Sequence, residues 1–136
     1  MLDDFPATVL QKMVGSLADM SFEAITITRS TKADGPKIIY VNDAFTRLTG
    51  YAASDVVGET LDMLQGSDTD PAVLKRLHET LARGETFHGT TVNYRKDGSP
   101  FNMEWKVSFA GSDHGTEYYI AVQRERPILA GRTAAT

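Results

Sequence analysis

The dipeptide Asp97-Gly98 separates two runs, Thr86 to Tyr94 and Phe101 to Phe109, that read as strands. Asp-Gly in that setting is a strong hairpin signal, because both residues tolerate the positive φ that a tight turn between twisted strands demands. A third run, Glu117 to Arg124, follows a second turn at Ser112 to Gly115. Its period of two puts Tyr119, Ala121 and Gln123 on one face and Tyr118, Ile120 and Val122 on the other. The second half of the chain is therefore a three-stranded antiparallel meander. Near the start, Phe22 to Thr28 and Lys37 to Val41 are rich in β-branched residues, and Ser30 to Pro36 supplies turn chemistry centred on Asp34-Gly35. That is a second candidate hairpin.

Between the hairpins the signals are helical. Asn42 or Asp43 can cap a short helix carrying Ala44, Phe45 and Leu48, which stops at Gly50. Ser54 is expected to cap a turn over Val56 and Val57 that ends at Gly58, and Thr60 to Leu64 adds one more turn before Gln65-Gly66. Asp70-Pro71 opens a longer helix, with Asp as cap and Pro at its first position. Val73, Leu74, Leu77 and Leu81 form its stripe and Gly84 ends it. Ahead of everything, Pro6 to Leu17 spaces Val9, Leu10, Met13, Val14 and Leu17 as an amphipathic helix with Pro6 in its first turn. Strands at both ends with helices between them imply an α+β fold, an antiparallel sheet with helices on one face. The expected organisation is a flanking helix over 1–20, one domain over 21–126, and a tail over 127–136.

Composition removes several functions. The 136 residues include no Cys, which excludes disulfides, Cys-ligated zinc, iron–sulfur clusters and thiol catalysis within this sequence. A net charge of −4 argues against a nucleic-acid partner. The apolar runs are too short to span a bilayer, and the acidic start lacks a secretory h-region, so a cytoplasmic location is expected. His78, His88 and His114 follow no metal-ligand spacing, and no nucleophile elbow or phosphate loop is present. No enzyme is expected.

What remains is a set of polar residues on the last three strands: Asn93, Glu104 and Gln123. Their facing depends on whether the turn at Asp97-Gly98 carries a bulge. Pointing inward, they make a row of amide and carboxylate groups in an apolar chamber, able to hydrogen-bond a planar heterocycle. Otherwise they face solvent or satisfy one another.

At these residues the sequence resembles the PAS superfamily and, within it, the LOV-like flavin branch. The resemblance runs from about Phe22 to Arg126. It rests on Ile39-Tyr40-Val41-Asn42-Asp43-Ala44-Phe45, Leu48-Thr49-Gly50-Tyr51, Leu64-Gln65-Gly66, Val92 to Gly98 (VNYRKDG) and Val122-Gln123-Arg124. Three departures stand out. The branch carries G-x-N-C-R-F-L-Q, whose Cys bonds to the flavin in blue light. Here Gly58 to Gln65 reads GETLDMLQ, so Leu61 stands at the Cys position and no cysteinyl adduct can form. Asp62 stands where a phosphate-binding Arg is usual, and Lys75 or Arg76 is the available substitute. Met103 replaces a second ring-contacting Asn.

The resemblance implies a five-stranded PAS sheet and a sensory module that binds a flavin, FAD or FMN, without covalent attachment and answers to redox state or light. Glu104-Trp105 is similar to the pattern of Cys-free, FAD-holding relatives. The implied contacts are Leu61, Gln65, Lys75, Arg76, Asn93, Met103, Glu104 and Gln123. Trp105 is a possible electron donor to the flavin. A homodimer is expected, since the stripe from Val9 to Leu17 needs a cover, and so is an unidentified signalling partner. The alternative is a cofactor-free PAS dimerisation or protein-interaction module with a degenerate pocket.

Overall fold

The computed structural model describes residues 1–127. The tail expected over 127–136 therefore lies, apart from Pro127, outside the described residues. Five strands form a single antiparallel sheet: β1 (Ala24–Ser30), β2 (Lys37–Val41), β3 (Phe87–Tyr94), β4 (Pro100–Asp113) and β5 (Thr116–Glu125). Their order is β2-β1-β5-β4-β3, so the first and last strands are neighbours, Thr26 opposite Ala121. The first strand starts at Ala24, two residues later than its β-branched composition suggests. Phe22 lies outside it and is 99% exposed.

The helices between the hairpins are α2 (Asp43–Thr49), α3 (Ala53–Val56), a 3-10 turn (Leu61–Leu64) and α4 (Pro71–Ala82). Asn42 caps α2: its Oδ1 accepts from the amides of Phe45 and, across the chain, Ile25. Gly50 closes α2 at φ 79°, a left-handed conformation that glycine adopts without a Cβ penalty. Ser54 is not a cap. It lies inside α3, and the Asp55 carboxylate takes the orphan amide of Ala52 instead. Asp70 caps α4 as expected, accepting from the amide of Ala72. The start of α4 is also tied to β3: Thr69 donates to the Val92 carbonyl, and the Asp70 amide donates to Thr91.

The core lies between sheet and helices in two adjoining clusters. Ile38, Val41, Phe45, Val56 and Leu64 pack with Ala24 under α2 and α3. Phe87, Phe101, Met103, Trp105 and Val107 pack with Ala121 under α4, and Leu48 touches both clusters. The β3–β4 hairpin is fastened to α2, where Arg95 Nε donates to the Leu48 carbonyl and the Lys96 amide to that of Thr49.

The first helix, α1 (Ala7–Met20), begins after Pro6 rather than with it and runs three residues past Leu17. Its end is held to the domain: Asn42 Nδ2 donates to the Ala18 carbonyl, and Tyr40 Oη lies 3.5 Å from Asp19 Oδ1. Its apolar stripe is not buried on the chain's own sheet. Val9, Met13, Val14, Leu17 and Met20 are all exposed, Leu17 to 64%.

Candidate functional site

Strand parity decides the site. On β4 the buried positions are Phe101, Met103, Trp105 and Val107; on β5, Ala121 and Gln123; on β3, Phe87, Gly89, Thr91 and Asn93. The strand pairing sets Asn93 opposite Phe101, Trp105 opposite Gln123, and Ala24 opposite Gln123. Asn93, Met103, Gln123 and Thr26 therefore run diagonally over four adjacent strands on the inner face. They are 4%, 4%, 1% and 0% exposed.

The four are joined by hydrogen bonds. Thr26 Oγ1 donates to Gln123 Oε1 at 2.6 Å. That bond fixes the amide's orientation and turns Gln123 Nε2 toward the Met103 sulfur, 3.8 Å away. From the other side Asn93 Nδ2 donates to the same sulfur at 3.5 Å. A thioether is a weak acceptor, and here it is the hydrogen-bond partner of two buried amide nitrogens. The arrangement is neutral throughout and presents amide N–H groups from two strands toward one point. Such a point can accept the carbonyl or ring nitrogen of a flat heterocycle.

Glu104 does not belong to this row. It neighbours Met103 and Trp105 on β4, and a period of two sends it to the opposite face. There His88 Nε2 lies 2.6 Å from Glu104 Oε2, and Arg124 Nε donates to Oε1 at 2.9 Å. The hydrogen bond from His88, and then that from Arg124, hold the Glu104 carboxyl below its ordinary range. The expected ring contact is an outer-face ion-pair centre that ties β3, β4 and β5 together.

The remaining candidates lie apart from the row. Leu61 is half-buried against the cluster of Ile38, Phe45 and Val56, as is Met63. Gln65 is exposed, and its Nε2 lies 3.4 Å from Asp62 Oδ1, so the retained amide engages the acid that departs from the family pattern. Lys75 is exposed and lies 3.9 Å from Glu79. Arg76 is docked: its guanidinium sits 4.7 Å from the Phe87 ring centre and donates to the His88 carbonyl. Reasoning from sequence missed Thr26, the hydroxyl that orients Gln123. The signal available was its position inside the β-branched run Ile25 to Thr28, two residues on from Ala24 and so on the same face.

A model of the PAS domain family matches residues 23–125. The chain belongs to the PAS family. Its relatives are of the light-oxygen-voltage type. Blue-light-activated histidine kinase 1 of Erythrobacter litoralis is 40% identical over 94 residues, 69% of this chain and 25% of the kinase. Phototropin-2 of Oryza sativa is 37% identical over 107 residues, 79% of this chain but 12% of the phototropin. The chain thus spans a quarter or less of these two relatives. Among solved structures, the LOV domain of the Erythrobacter litoralis EL346 kinase superposes with a TM-score of 0.69 at 31% identity. That match covers 78% of this chain and 97% of the other. A LOV domain whose mechanism was studied with a flavin analogue gives 0.73 at 29% identity, covering 91% of this chain and 90% of its own. The expected PAS fold, with its five-stranded antiparallel sheet, is the observed one.

Proposed function

We propose that this PAS domain is a sensory signalling module that holds a flavin non-covalently on the inner face of β3, β4 and β5, and that it is not itself an enzyme. One observation carries the reading: two buried amide nitrogens, of Asn93 and Gln123, converge on a single weak acceptor inside a LOV-type fold. A flavin edge carries carbonyl oxygens and ring nitrogens and is a better match for those donors than sulfur. Leu61 would be an apolar contact shielding the ring. With no Cys in the chain, no thiol adduct forms. The residues suit the ring better than a terminal phosphate. Asp62 contributes negative charge near Gln65, whereas Lys75 and Arg76 are engaged elsewhere. This favours FAD, whose pyrophosphate extends further outward, over FMN.

A bound flavin supplies electron uptake, driven by redox partners or by light. The chain's own part is to read the protonation change that follows. Gln123 can turn its amide over, exchanging acceptor for donor. Thr26 then loses its acceptor and must rotate, so the change reaches β1 and, through Asn42 and the Ala18 carbonyl, α1. Trp105, directly across from Gln123, is an aromatic side chain beside the row, as is Phe101 across from Asn93. The output is a homodimer through the open face of α1, or a partner protein on the same surface.

The test is flavin retention. Purified chain is incubated with FAD or FMN, desalted, and its visible absorbance recorded in darkness and after blue light. A retained flavin band that bleaches to a reduced form supports the reading. Protein absorbance alone, with both flavins, overturns it. The cofactor-free interaction module would then stand, and one observation favours it: among the described residues no buried side-chain nitrogen or oxygen lacks a hydrogen-bond partner.

A further inference from the structure

We infer that Met103 is a built-in stand-in ligand: its thioether fills the ring-edge position between Asn93 and Gln123 and must withdraw for a ring to bind. The inference rests on the flavin reading but concerns a residue of the chain and a contact that exists without ligand.

The geometry is specific. Met103 is 4% exposed and lies on the middle strand of the three, with one amide on each flanking strand. Both amide nitrogens point at Sδ, from 3.5 Å and 3.8 Å. Without the sulfur, both donors would be buried and unmatched, a state that costs each group its desolvation penalty. The sulfur therefore stabilises the unliganded domain. By the same token it competes with any ligand for these two donors, because the ligand must break both contacts before it makes its own. An interaction present only in the free state raises free-state stability and weakens binding by the same factor. Methionine suits such a role, since its unbranched side chain has three rotatable bonds and can repack without moving the strand.

The contact also explains why the row is complete on its own. Thr26 satisfies the Gln123 oxygen, and Met103 takes the nitrogen. The domain can fold and persist before it meets its ligand.

Met103→Leu separates the two effects. Leucine nearly conserves volume but accepts no hydrogen bond. The variant without ligand should melt at a lower temperature than the wild type. Its FAD dissociation constant, measured by fluorescence titration, should fall by about tenfold, the worth of one net hydrogen bond. Met63→Leu, a half-buried methionine in the other cluster, should leave both quantities unchanged. If Met103→Leu binds FAD equally or more weakly than the wild type, this inference is overturned while the flavin reading stands. If neither protein binds FAD or FMN, both readings fall together. Should Met103→Leu not fold, the exchange is read in the wild type from the methyl-13C resonance of Met103. That signal is assigned by replacing the other four methionines, and it must shift when FAD is added. A Met103 resonance unmoved by bound FAD overturns the inference.

Discussion

The bond between Thr26 and Gln123 is the link through which the inner-face row reaches β1, and its strength can be isolated. Both residues are buried, at 0% and 1% exposure, and the oxygens are 2.6 Å apart. Gln123→Leu leaves the Thr26 hydroxyl without its acceptor, and Thr26→Val leaves the Gln123 oxygen without its donor. An orphaned buried polar group costs about 1–3 kcal/mol. At this chain length each kcal/mol lowers the melting temperature by roughly 3–5 °C. Each single variant should therefore melt about 3–15 °C below the wild type. The double variant removes both partners together. No orphan remains on either side of the contact, and valine and leucine fill nearly the same volume. Its stability should return to within about 1 kcal/mol of the wild type, so that the cycle recovers most of the summed single losses, a coupling energy of about 1–6 kcal/mol. Urea unfolding followed by tryptophan fluorescence measures all four proteins, since Trp105 is the chain's single Trp and sits opposite Gln123. A double variant whose loss equals the sum of the singles would refute the claim that this contact holds β5 to β1.

Two further outcomes follow from the outer surfaces. Glu104 has its folded pKa lowered from an ordinary value of 4.5 by His88 and Arg124. A depressed carboxylate contributes stability that is fully present above the unfolded value and lost as pH falls through the folded one. The melting temperature of the wild type should exceed that of Glu104→Gln near neutrality, and the gap should close below about pH 4.5; a gap constant through the acid range would show that the ion-pair centre is idle. The exposed stripe of α1 predicts self-association: the wild type should elute as a dimer, and Leu17→Asp should elute as a monomer with an unchanged far-ultraviolet spectrum. A wild type that stays monomeric at high concentration by analytical ultracentrifugation would sink that reading.

Most of the architecture was legible because local chemistry and global fold agree. Lys37 to Val41, the Gly50 stop and the Asp70-Pro71 start each have one good local conformation, and the fold uses it; of the two caps open to α2, Asn42 and Asp43, the fold uses Asn42. The failures have physical causes. Ser54 is a good cap by type, but the helix starts one residue before it, at Ala53, so Ser54 falls inside the first turn, and Asp55 at the third helical position takes the Ala52 amide. The facing of Glu104 stays open in the sequence because it hangs on a bulge at Asp97-Gly98; the β3–β4 register runs unbroken and sends Glu104 outward. From Phe101 to Phe109 apolar and polar residues alternate strictly, and Glu104 falls on the polar set with Asn102, Lys106 and Ser108. Parity also assigns Met103 to the interior. What no pattern in the sequence discloses is the diagonal: the pairing of β1 with β5 joins segments almost a hundred residues apart, and only that pairing brings Thr26 to Gln123.

That diagonal bears on which of the two readings the physics favours. A domain needed only for its surface gains nothing from amides in its core. Leucine or valine at positions 93 and 123 would bury apolar area and leave no donor to satisfy. Here two amides are buried, one of them held in a single orientation by a hydroxyl, and both spend their donors on sulfur. The arrangement is self-consistent yet improvable: any oxygen acceptor delivered between the two strands forms stronger bonds than the ones it displaces. A core built with that asymmetry is closed to water but biased toward a ligand. The same bias sets the direction of signalling. A ligand that takes the Gln123 nitrogen leaves the Thr26 bond intact, whereas one that demands the Gln123 oxygen breaks it. Only the second kind of ligand state disturbs β1 and the helix tethered beside it at Ala18. On the proposed flavin reading, the state of the ligand's ring edge, rather than its mere presence, is what the Thr26–Gln123 bond would report.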